Sequence, residues 1–376
     1  LQGELNEIQR DIQKAAKEFA EKEFDPSLAQ ELDRERRFPE TIFERACRLG
    51  FVGINYPEIY GGQSLGLFEN VLVTEEFCRR DSGIGIAISM ADMASCVILR
   101  YGTEEQRKQF IPPVTRGEAT HSVAFDYGLN LGLQARAEGS GYLVDGKKSF
   151  VLCGPRGGLV VLLCGIVEGS HQETSGAVML LVRREQEGIS LSPRNQMMGL
   201  RMCSFHELSF DQVHVSGERR IGTAGKAVEY LASYLVERRI KTAAQALGVA
   251  QGAFDRAAKH AREREQFGSK IGRFQGIQFM LAEMLTQVEA ARSLVYRAAR
   301  SCDAASPERE GLASMARLFS TDVAVRTVLD AIQIHGGVGL MKEYSIERMF
   351  RDVKTVQNLG ETSFVQRALI GQTLVP

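Results

Sequence analysis

From Ile240 the chain carries an apolar or small residue at every third or fourth position. Ile240, Ala243, Leu247, Ala250, Phe254, Ala257 and Ala261 hold that spacing for roughly six helical turns. A second stripe, Ile277, Met280, Met284, Val288, Ala291, Val295 and Ala298, does the same. Helices this long are stable in water only if the stripe is covered, and another helix is the natural cover. The last third of the chain, from about residue 225, is therefore expected to be a helical bundle.

Two other textures precede it. Leu5, Ile8, Ile12 and Phe19, then Ile42, Phe43, Ala46 and Leu49, recur at helical spacing, with a loop at Tyr56–Gly62 before the pattern resumes through Phe68, Val71, Leu72 and Phe77. After Gly117 the texture becomes β-like. Tyr142–Val144, an Asp145-Gly146 pair and Lys147–Phe150 read as strand, turn and strand. Leu159–Cys164 and Ala177–Val182 are short apolar runs suited to buried strands, and Leu208, Phe210, Val213 and Val215 continue the alternation. The fold expected is α+β and multidomain: a helical domain at 1–115, a β domain at 116–224 and a helical bundle at 225–376.

Charge and cysteine usage remove several function classes. The 46 basic and 47 acidic residues leave a net charge of −1, too little to favour nucleic acid or an anionic membrane. No apolar run approaches the twenty or so residues of a membrane span, and Leu1–Arg10 lacks the pattern of a secretory leader. Seven scattered cysteines without a CxxC pair point to free thiols, hence to the cytoplasm or another reducing compartment. Six scattered histidines without HExxH-type spacing give no metal site.

Several motifs are more specific. Arg264-Glu265-Gln266-Phe267-Gly268, followed by Ile271-Gly272-Arg273-Phe274-Gln275-Gly276-Ile277-Gln278, resembles the R-x-Q-F-G…I-x-x-F-Q-x-x-Q signature of the acyl-CoA dehydrogenase family. Gln333-Ile334-His335-Gly336-Gly337-Val338-Gly339 is similar to the family's Q-I-x-G-G-x-G segment, and Glu347–Asp352 to the stretch after it. Tyr101–Gln106 and Pro57–Gly62 are family-like as well, so the resemblance spans essentially the whole chain. It implies FAD as cofactor, with Arg264, Gln266, Phe267, Gln333, Gly336 and Gly337 on the dinucleotide and the two segments contributed by neighbouring subunits of a homodimer or homotetramer. It further implies an acyl-CoA or acyl-carrier-protein thioester as substrate and an electron-transferring flavoprotein as redox partner. The residue types suit a dinucleotide, because an Arg fork and open glycine backbone favour a pyrophosphate.

The resemblance breaks where the family does its chemistry. The family's catalytic Glu lies in a Y-E-G-T stretch, which reads Leu359-Gly360-Glu361-Thr362 here, with Gly360 at the Glu position. At the alternative position on the first long helix of the bundle, Arg238 stands for the Glu and Arg239 for the family's Arg. The T-E-P-x-A-G-S-D loop becomes the shorter Phe125–Asn130, and W-x-T becomes Phe150-Val151-Leu152; Phe150 can still pack on the flavin, but Leu152 cannot hydrogen-bond it. Arg238, Arg239 and Gly360 are thus expected at the substrate, and Phe150 and Thr362 at the flavin. Asp92, set among Met and Ala, is a second candidate base beside Glu361. Three readings stay open at this point: α,β-dehydrogenation of an acyl thioester with Glu361 as a displaced base, FAD-dependent thioester chemistry without the usual base, and a non-catalytic homologue serving as a structural subunit.

Overall fold

A computed structural model describes residues 5–125, 131–156, 158–167 and 174–374. The amino-terminal helices are α1 (Glu7–Glu23), α2 (Pro26–Glu35), α3 (Glu40–Arg48), α4 (Leu67–Arg80), α5 (Ser82–Ser89), α6 (Ser95–Tyr101) and α7 (Glu104–Thr115). Polar caps set several of their starts. Asn6 and Gln9 form a reciprocal capping box on α1, Thr103 and Gln106 do so on α7, and Asp25 accepts the Leu28 N–H at the start of α2.

The β domain comprises β1 (His121–Ala124), β2 (Leu133–Glu138), β3 (Gly141–Leu152), β4 (Leu159–Val167), β5 (Thr174–Arg183), β6 (Ile189–Leu191), β7 (Phe205–Val215) and β8 (Arg220–Ile221). They form one sheet in the order β6-β7-β3-β2-β4-β5-β8, with β1 added in parallel to β4. The expected hairpin at Asp145-Gly146 is absent. β3 runs straight through, and the extra residue is absorbed as a register shift against β7 between Val144 and Gly146. Gly146 has φ of 124°, which only glycine adopts freely, and an added Cβ would lie 2.3 Å from the Gly132 carbonyl oxygen. The glycine signal marks a bulge, not a turn.

The bundle is α8 (Ala227–Glu263), α9 (Gln275–Asp303), α10 (Arg309–His335), α11 (Ile346–Asn358) and α12 (Ser363–Leu374), with a small ribbon of β9 (Glu265–Gln266) and β10 (Ser269–Lys270) after α8. Along α8 the predicted stripe is buried from Ile240 through Ala261 at all positions but Phe254, which is half-buried. The α8 stripe packs against α4, α9 and α10. No described helix is long and apolar enough to cross a membrane. All seven cysteines are free thiols.

Candidate active site

The three regions meet around a cavity of about 480 Å³. Its walls are mostly apolar: Met90 and Met93 after α5, Val123 and Phe125 from the β1 segment, Phe150, Leu152 and Phe205 from β3 and β7, and Met197, Met198, Leu235 and Leu359. Thioethers and aromatic rings of this kind suit a flat conjugated ligand. Phe150 is presented by a second irregularity in β3, between Lys148 and Val151. There its φ is 56°, a left-handed conformation costly for a side-chain-bearing residue, and the residue is 58% exposed. The strain turns an aromatic face out of the ladder and onto the cavity. That is the feature an isoalloxazine ring would use, and the residues present fit it.

The Leu359–Thr362 turn forms the opposite wall. α11 ends at Leu359, Gly360 has φ of 77°, and Glu361 lies on the cavity but is only 3% exposed. Arg239 holds the Glu361 carboxylate in a fork, Nε to Oε2 at 2.9 Å and Nη2 to Oε1 at 2.6 Å. Arg317 of α10 stands 3.5 Å from Oε2 and donates to the carbonyls of Leu359, at 2.8 Å, and of Glu361. Thr362 is half-buried, and its carbonyl accepts the Gln366 N–H at 3.2 Å as α12 begins. Glu361 is thus the counter-ion of two buried guanidinium groups, and Arg239 faces Glu361 instead of lining the cavity.

Arg238 does line it. Adjacent residues on a helix diverge by about 100°, so Arg238 turns into the cavity while Arg239 turns to Glu361. Behind Arg238 lies a small polar chamber bounded by Ser89, Asp92, Cys96, Tyr234, Glu237 and Lys241. Asp92 belongs there and does not line the main cavity. It accepts from the Tyr56 hydroxyl and stands 3.5 Å from Lys241 Nζ, which lies 3.6 Å from Glu237 Oε1. Glu237 Oε2 in turn accepts from Arg100 Nη2 at 2.6 Å. Asp92 is buried as part of an ion chain, which replaces the expectation of a desolvated free base. Reading the sequence missed Lys241 and Arg317. The signal for Lys241 was present: Tyr234, Arg238, Lys241 and Gln245 form a polar file at helical spacing inside an otherwise apolar helix.

The dinucleotide segments sit elsewhere. Arg264 caps α8, Gln266 and Phe267 occupy the ribbon, and Gln333, Gly336 and Gly337 end α10; all are solvent-facing, Phe267 at 94%, and none lines the cavity. His260 stacks on His335 with ring centroids 4.2 Å apart, which brings both segments to the same end of one protomer's bundle. Residues 126–130, most of the shortened loop, lie outside the described residues.

This architecture and this cavity are those of acyl-thioester flavoproteins, and comparison with known proteins agrees. The acyl-CoA dehydrogenase N-terminal domain matches residues 6–118, the middle domain 127–213 and the C-terminal domain 227–375. The chain belongs to the acyl-CoA dehydrogenase family, whose cofactor is FAD, and it is an acyl-CoA dehydrogenase-like flavoenzyme. It is 35% identical to a 3-(aryl)acrylate reductase of Clostridium sporogenes, over 97% of each chain. It is 33% identical to the caffeyl-CoA reductase-Etf complex subunit CarC of Acetobacterium woodii, over 99% of each. Among solved structures, butyryl-CoA dehydrogenase from Megasphaera elsdenii superposes with a TM-score of 0.92 at 29% identity, covering 99% of both chains.

Proposed function

We propose that this flavoenzyme interconverts acyl thioesters and their α,β-unsaturated forms and works in the reducing direction. One observation carries the reading: the carboxylate on the cavity wall, Glu361, is gripped by Arg239 and Arg317, and the sequence match puts Gly360 where the family's base is expected. Oxidation requires removal of a carbon-bound proton at Cα, and that needs a basic lone pair within about 3 Å. Reduction builds negative charge on the thioester oxygen and Cα, and a carbanion of that kind takes its proton from water without a positioned base. Arg317 lines the cavity and supports such charge. Phe150 and the apolar wall hold the ring system. Bound FAD supplies the two-electron exchange at the β carbon. Two relatives whose names describe reductases support the same direction, and the Etf complex of one supports an electron-transferring flavoprotein as redox partner.

The oxidative reading keeps one observation in its favour, since Glu361 is the one carboxylate among the described cavity-lining residues. Anaerobic stopped-flow spectroscopy near 450 nm separates the two. Crotonyl-CoA should reoxidise the reduced flavoprotein faster than butyryl-CoA bleaches the oxidised one, and Glu361→Gln should leave the first rate within about tenfold. Fast bleaching by butyryl-CoA that falls a hundredfold or more in Glu361→Gln would restore Glu361 as the base.

A further inference from the structure

Charge is unevenly distributed around the cavity. Seven cationic side chains stand on or just behind the walls of the cavity and the polar chamber: Lys148, Arg238, Arg317 and Lys354 line the cavity, Lys241 lines the chamber, and Arg100 and Arg239 lie behind them. Lys354 donates to the Gln357 amide oxygen at 2.6 Å, and Lys148 is engaged as well. Three carboxylates stand among them, Asp92, Glu237 and Glu361. Arg100 and Lys241 are matched by Glu237 and Asp92, and Arg239 and Arg317 share Glu361. Arg238 is left over. It is half-buried, borders both spaces, and makes no hydrogen bond or ion pair among the described residues. The larger cavity of about 640 Å³ across Met90 and Leu152 shows the contrast. It too is rimmed by arginines, but Arg37 pairs with Glu31, Arg156 with Glu40 and Arg184 with Glu185, Arg36 donates to the Gln196 amide oxygen, and three backbone carbonyls hold Arg194.

A half-buried guanidinium with no counter-charge has given up part of its hydration and gains from a carboxylate that reaches it. The chamber behind Arg238 cannot supply one, because its free space of about 10 Å³ is no more than a water molecule needs. The missing charge has to come from the cavity side. A planar fork matches a planar carboxylate in two parallel hydrogen bonds.

We propose that Arg238 clamps a carboxylate on the acyl group, so that the substrates of this enzyme are monothioesters of dicarboxylic acids. The proposal rests on the acyl-thioester reading above and narrows it. The apolar wall of Met90, Met93 and Leu235 houses the carbon chain, and the chain ends at Arg238 because the chamber beyond admits nothing larger than water.

Isothermal titration of the FAD-loaded protein with butyryl-CoA and succinyl-CoA tests it, since the two share a four-carbon acyl chain and the same CoA. The wild type should bind succinyl-CoA roughly tenfold or more tightly, the scale of a charge-assisted hydrogen-bond pair. Arg238→Gln should bring the two affinities within about twofold, and Arg238→Lys should fall between. Equal affinities in the wild type, or a preference that survives Arg238→Gln, overturn the clamp and leave the acyl-thioester reading standing. Failure of both thioesters to bind overturns the two together.

Discussion

At the scale of single residues, the Leu359–Thr362 turn decides most. Glu361 neutralises two buried arginines, so its removal is first a matter of stability. Deleting one partner of a buried ion pair costs roughly 3–5 kcal/mol, and Glu361→Gln should lower the denaturant midpoint accordingly; a base on an otherwise independent turn would leave it unchanged. Exchanging the pair, Gly360→Glu with Glu361→Gly, does not rebuild the family's site. It places a side chain on a residue with φ of 77°, at about 1–2 kcal/mol, and leaves Arg239 and Arg317 without their counter-ion. Gly360→Ala alone isolates the backbone part and should cost about 1–2 kcal/mol by chemical denaturation. Phe150 is the converse case. Phe150→Gly relieves a left-handed conformation and should raise the stability of the apoprotein by about 1 kcal/mol, while flavin fluorescence reports weaker FAD binding.

At the scale of elements, the junction of β1 with α6 carries a built-in pH dependence. His121 is buried, its Nδ1 lies 2.9 Å from the Ser95 hydroxyl, and burial pushes its pKa down to about 4 against a weaker pull upward from Asp92. The folded state therefore holds His121 neutral where the unfolded chain, with a pKa near 6.5, takes a proton. The stabilising contribution is complete above pH 6.5 and is lost as pH falls towards 4, by about 3 kcal/mol across that window. Asp352 and Glu76 are raised by burial to about 6 and about 7, and act in the opposite sense. The clean measurement is a difference: the stability gap between wild type and His121→Gln, followed by urea titration from pH 7 to pH 4, should shrink or reverse in sign as acid is added.

At the scale of the whole molecule, the residues expected at the cofactor lie in two separate places on one protomer. The cavity bears Phe150 and Leu152, whereas Arg264, Gln266, Phe267, Gly336 and Gly337 face solvent at the end of the bundle. The same bundle exposes Phe267, Phe279, Leu340 and Phe364 at between 59% and 94%, apolar surface that a monomer rarely leaves open. A homodimer or homotetramer is the expected way to cover both. Light scattering should give two or four times the chain mass, and Phe364→Asp should lower it. Arg264→Ala should release flavin, through loss of a contact worth roughly 1.5–3 kcal/mol, with little change in the far-ultraviolet spectrum.

The architecture was legible in the residues because a buried helix or strand must repeat its apolar face at a fixed period, and α8, α9, β4 and β5 do so without ambiguity. The family was legible as well, from the motifs around Arg264 and Gly336. Sequence could not decide what the charged residues do. Arg238 and Arg239 are neighbours of the same type, yet one faces an open cavity and the other a buried carboxylate. Asp92 read as a candidate base and is a counter-ion, and Asp145-Gly146 read as a turn and is a bulge. An ion pair forms between residues far apart in the chain (Arg239 and Glu361 are separated by 122 positions), and its strength depends on burial and on angles of a few tens of degrees. Local pattern determined the elements of this protein; only their packing decided which charges cancel.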